Sequence, residues 1–80
     1  HMAKVKLIQK QLSALRDTVV ERTVIGEFDS REKALDFLAK RGYRYDAVYD
    51  SWIHGNAIQF PVSIQETQYS PFDIRSFVKN

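Results

Sequence analysis

An α+β domain of order β-β-α-β-β-α, with one main helix packed on one face of an antiparallel sheet, is the architecture expected of this chain. Three features carry that expectation. Residues 24–43, VIGEFDSREKALDFLAKRGY, read as a strand, a capped helix and a glycine stop. Residues 57–68, AIQFPVSIQETQ, alternate apolar and polar positions as a strand with one wet face does. A length of 80 residues suits one small core and leaves no room for a second domain or a deep cofactor cleft. Residues 3–80 are read as that single domain, and His1-Met2 as a tag remnant followed by the start methionine.

The first element is ambiguous. Val5, Ile8, Leu12, Leu15 and Val19 fall at the three- and four-residue spacings of an amphipathic helix. Val5, Leu7 and Gln9 against Lys4, Lys6, Ile8 and Lys10 alternate more like a strand. The strand reading is preferred, because a strand over 18–28 would otherwise lack a partner. Strands over 4–12 and 18–28, paired as a hairpin through Ser13–Asp17, are therefore expected. Val24, Ile25 and Phe28 supply the β-branched and aromatic residues of a buried strand.

The helix has marked ends. Asp29 or Ser30 can cap it, and Asp29 with Glu32 has capping-box spacing. Ala34, Leu35, Phe37 and Leu38 form its apolar stripe, and Lys40 and Arg41 suit the negative end of the helix dipole. Gly42 can adopt the left-handed conformation that stops a helix, folding Tyr43 back on Leu38. Beyond it, Tyr43–Asp50 reads as loop or strand, and Val48–Ile53 as strand. His54-Gly55-Asn56 reads as turn, and Ala57–Gln68 as a strand that Pro61 confines to a sheet edge or a bulge. A second helix is expected after Ser70, with Pro71 at its first position and Asp73 completing the cap; Phe72, Phe77 and Val78 would dock it. The expected core is Val24, Ile25, Phe28, Ala34, Leu35, Leu38, Ile58, Phe60, Val62 and Ile64.

Ile25, Gly26, Phe28, Ser30, Glu32, Lys33, Ala34 and Phe37 together resemble a strand-to-helix pattern, IGxFxSxEKAxxF, of small uncharacterised α+β proteins from bacteriophages and their bacterial hosts. The resemblance covers about a fifth of the chain. It implies the same kind of fold and a mobile-element origin. Its motif is structural and implies no activity.

Composition argues against most chemistry. The chain has no cysteine, which rules out disulfides and thiolate metal sites and favours a cytoplasmic home. No apolar run approaches the roughly 20 residues a membrane-spanning helix needs, so no membrane partner is expected. Asp46, Asp50 and His54 are spaced by four, as helical metal ligands would be, but the turn at Gly55-Asn56 follows at once. The acids are read as solvated surface, with no metal site and no cofactor. No serine sits in a glycine-flanked elbow, and three scattered glycines make no phosphate loop. An enzyme is not expected.

The most site-like segment is YRYDAVYDSWIHGN, where Tyr43, Tyr45, Tyr49 and Trp52 interleave with Asp46 and Asp50. Tyrosine and tryptophan anchor protein interfaces because each buries much area and keeps a polar handle. A protein-binding site of Tyr45, Asp46, Tyr49, Asp50 and Trp52 is expected, the acids steering a basic partner surface. With the resemblance above, the expected role is a phage-encoded modulator or inhibitor of a host protein. The alternative is nucleic-acid binding through Lys4, Lys6 and Lys10 on the first strand and Lys40, Arg41 and Arg44 near the helix end, with Tyr43 and Tyr45 stacking on bases. Monomer and homodimer are both open. A dimer would pair the 4–12 strand, expected at a sheet edge, across a two-fold axis.

Overall fold

The computed structural model describes residues 3–68. Along the chain lie β1 (Ala3–Leu12), β2 (Val19–Phe28), α1 (Arg31–Lys40), β3 (Tyr43–Asp46), β4 (Ser51–His54) and β5 (Val62–Gln68). The five strands form one sheet in the order β2-β1-β5-β4-β3, with every neighbouring pair antiparallel. The α+β class holds, but the expected order β-β-α-β-β-α is not matched. Among the described residues there are five strands and one helix. The helix expected after Ser70 lies outside the described residues.

The hairpin reading of the N-terminus is correct. Val5 opposes Phe28 and Lys10 opposes Arg22, and the chain reverses through a turn in which Ser13 N–H donates to the Thr18 carbonyl at 2.9 Å. Two register shifts in this ladder leave Ile25 and Val20 as extra residues on β2. The edge assignment is wrong, however. β1 lies at the centre of the sheet between β2 and β5, and the edges are β2 and β3. The burial of Val5, Leu7 and Ile8 explains this: consecutive residues buried on both faces belong to an inner strand. β5 is also internal. Pro61 immediately precedes it, so the missing N–H costs β5 no ladder bond, and its carbonyl accepts from Lys10 N–H at 2.9 Å.

α1 covers one face. Ser30 is its cap, the Oγ accepting from Lys33 N–H at 3.2 Å. Asp29 pairs instead with the Lys33 ammonium at 3.9 Å, and the expected Asp29–Glu32 box does not form. Gly42 has φ +83° and ends the helix as expected. Ala34 and Leu38 pack with Val5, Leu7 and Val62 in the buried cluster, flanked by Ile25, Phe28, Phe37, Tyr43, Trp52 and Ile64. Each fully buried aliphatic side chain here is worth about 1.5–3 kcal/mol. Gly26 lies opposite Leu7, and a Cβ there would meet the Phe28 ring at 2.8 Å. That close approach accounts for the glycine two residues before the aromatic: the Phe28 ring occupies the space above it and stacks tilted on Phe37, centroids 5.1 Å apart.

Two members of the expected core are not core. Val24 and Phe60 are exposed, and Ile58 is only half-buried. Val24 opposes Ile8, on the face of the sheet turned away from α1, and it lies on the edge strand β2, where Val20 is also exposed. The expected strand over Ala57–Gln68 begins only at Val62; Ala57–Phe60 form turns, with Ala57 N–H donating to the His54 carbonyl and Phe60 N–H to that of Ala57. The strand expected over Val48–Ile53 is Ser51–His54, and the segment left open between loop and strand contains β3. Ile53, absent from the expected core, is fully buried.

Candidate functional site

β3 and β4 form a short hairpin that pairs Tyr43 with His54, Arg44 with Ile53, Tyr45 with Trp52 and Asp46 with Ser51. Alternation then dictates the faces. Tyr43, Tyr45, Trp52 and His54 share the face that carries α1, whereas Arg44 and Ile53 lie on the other. The cross-strand rings meet edge to face, Tyr45 with Trp52 at 5.0 Å and Tyr43 with His54 at 5.1 Å between centroids.

The turn at residues 47–50 is held by its own acids. Asp46 Oδ1 accepts from Val48 N–H at 2.9 Å, and Asp50 sits at φ +50°, in the left-handed region that aspartate tolerates better than most residues. The Tyr45 hydroxyl donates to Asp50 Oδ1. That hydrogen bond, with slight desolvation and the nearby charges of Asp50 and Asp46, raises the Tyr45 phenol above its ordinary value. Asp46 Oδ2 also takes the Arg44 guanidinium at 3.4 Å.

The expected protein-binding residues are thus brought to one end of one hairpin. Tyr45 is 50% exposed and Val48, which the sequence did not single out, 87%. Tyr49 is exposed beside them. Trp52 is different. It packs against the core cluster, opposes Val62 of β5 and lies beneath the Arg31 guanidinium, 5.9 Å from the ring centroid. Arg31 in turn pairs with Glu66 at 3.2 Å. Trp52 is therefore half structural, and Asp46 and Asp50 are already occupied in shaping the turn.

The basic residues of the alternative site do not converge. Lys4, Lys6 and Lys10 lie along the face of β1 that turns away from α1, a face Arg44 shares from β3 at the other edge of the sheet, whereas Lys40 and Arg41 close the helix on the opposite face. The Lys4 and Lys6 ammonium groups share Glu27, at 3.5 and 3.9 Å. Lys40 pairs with Asp36 at 3.0 Å. Tyr43 and Tyr45 share the helix-bearing face, away from the β1 lysines, so base-stacking rings and that lysine stripe are separated by the sheet. Asp46, Asp50 and His54 form no metal-binding group; no cluster of three potential ligands is present among the described residues. No described helix is long and apolar enough to cross a membrane.

Sequence reasoning missed what sits at the other end of the hairpin. An open depression of about 500 Å³ is lined by Gln9, Arg41, Tyr43, His54, Ala57 and Phe60. These residues come from β1, the end of α1, β3, β4 and the turn before β5. No local pattern announces them, because only the strand order brings β1 close to β4. Comparison with known proteins adds no relative: no family model, curated protein or solved structure matches the chain.

Proposed function

We propose that this chain is a non-enzymatic protein-binding module whose contact surface is the tip of the β3–β4 hairpin. The observation that carries the reading is the cluster of exposed apolar and aromatic side chains there, Tyr45, Val48 and Tyr49, on a turn fixed by Asp46 and Asp50. A preordered turn loses little conformational entropy on binding, and tyrosine contributes area at low entropic cost. Trp52, its cross-strand neighbour on the same face, braces Tyr45 edge to face. The finer reading, a phage-encoded modulator of a host protein, rests on the resemblance of residues 24–37, and a cytoplasmic placement on the absence of cysteine.

Protein binding is favoured over nucleic acid on charge. Lys4, Lys6, Lys40 and Arg44 each have a carboxylate partner, which reduces their pull on phosphate, and the basic residues are divided between two faces. The test is a pull-down from bacterial lysate with the wild-type chain and a Val48→Ser/Tyr49→Ser variant. Both positions are exposed, so the variant keeps its fold. The expected result is one stoichiometric protein retained by the wild type and lost by the variant. Equal retention by both would remove the hairpin tip as the contact surface.

A further inference from the structure

The outer edge of β2 is open. Among the described residues β2 is hydrogen-bonded to β1 alone, so the backbone groups along its other side have no strand to pair with. Its sequence, VVERTVIGEF, contains neither lysine nor proline, two residues that commonly guard such an edge. On the face turned away from α1, three β2 side chains stand in a row: Glu27 opposite Lys6, Val24 opposite Ile8 and Arg22 opposite Lys10. Counted along β1, Val24 is midway between the acid and the base. Val24 is 51% exposed. Arg22 faces a like charge across the ladder, which is unfavourable, and it pairs with no carboxylate among the described residues. Glu27 is held on this face by the Lys4 and Lys6 ammonium groups, yet its side chain remains 47% exposed.

From this row we infer that β2 is a homodimer interface, pairing antiparallel with β2 of a second copy about a two-fold axis that passes between the two Val24 residues. Antiparallel pairing keeps opposed side chains on one face, and the two-fold axis makes every contact occur twice. Val24 then meets its own copy, and Arg22 of each chain meets Glu27 of the other. The second copy thereby supplies the counter-charge that Arg22 lacks. Gly26 opposes Thr23 of the second copy, and Ile25 stays the extra residue, as it is against β1. The charge pattern selects a second copy over an unrelated strand: base, valine and acid at equal steps complement their own reversal. The contact is independent of the hairpin tip, because β3 forms the opposite edge of the sheet.

Sedimentation velocity of the full chain, from about ten micromolar to about one millimolar, is the test, and the wild type is expected to pass from monomer to dimer across that range. Arg22→Glu sets acid against acid at both contacts, and Glu27→Arg sets base against base. Each variant alone should associate at least about tenfold more weakly. An equimolar mixture of the two sets acid against base at both contacts and should recover the wild-type association to within about threefold. The chain has no cysteine, so single cysteines report the register directly. Under mild oxidation Val24→Cys should form an intermolecular disulfide at least about tenfold faster than Val48→Cys. Should a charge variant lose the circular dichroism of the fold, the position-24 disulfide decides. A wild type that stays monomeric overturns the inference and leaves the edge to a strand of another protein. A mixture of folded variants that stays monomeric overturns it too, as does a dimer that survives in each variant alone. Equal disulfide rates at positions 24 and 48 have the same consequence.

Discussion

Tyr45 has a phenol held above its ordinary titration value by the carboxylate beside it. Its hydroxyl donates to Asp50, and ionising the phenol would lose that bond and place a negative charge beside two carboxylates. The neutral form is therefore favoured in the folded state, and the phenol titrates above its ordinary value of 10.0. The contribution to stability is present in full below that value and is lost as pH rises through the higher, folded value. Asp50→Asn should move the Tyr45 titration, followed by phenolate absorbance, downward. An unchanged titration would mean that the hydrogen bond does not hold in solution. The pairing of Tyr45 with Asp50 was not legible in the sequence. Both residues were legible as site candidates, but as anchor and steering charge, and their mutual engagement appears only once Asp50 adopts φ +50°. Gly26 illustrates the converse. It was legible as part of a motif, and its reason, the Phe28 ring above it, required the strand geometry.

At the scale of elements, the α1 segment was legible because its signals are local: a cap at Ser30, an apolar stripe and a glycine with φ +83°. The β1–β2 hairpin was legible from alternation. Strand order was not, because it depends on pairings such as Gln9 with Val62 and Trp52 with Val62 that join distant segments. The misplaced core follows from this. Val24 has the side chain of a buried strand residue, yet it lies on an edge strand and on the face turned away from α1, whereas Val5 and Leu7 lie beneath α1. Leu38→Ala should accordingly cost about 2–5 kcal/mol in denaturant unfolding, and Val24→Ala under about 1 kcal/mol. Comparable losses at the two positions would mean that α1 does not sit over β1.

For the whole molecule, the sheet divides the surface into two chemistries. One face carries α1 and the aromatic ladder of the β3–β4 hairpin; the other carries Lys4, Lys6 and Lys10. The functional account rests on that division, and its central claim is that the hairpin tip, not the lysine stripe, meets the partner. The direct measurement places a photo-crosslinking amino acid at Val48 in one protein and at Lys10 in another, each irradiated in bacterial lysate. The account predicts one discrete protein adduct from position 48 and none from position 10. Adducts at position 10 to nucleic acid, with none at position 48, would contradict it.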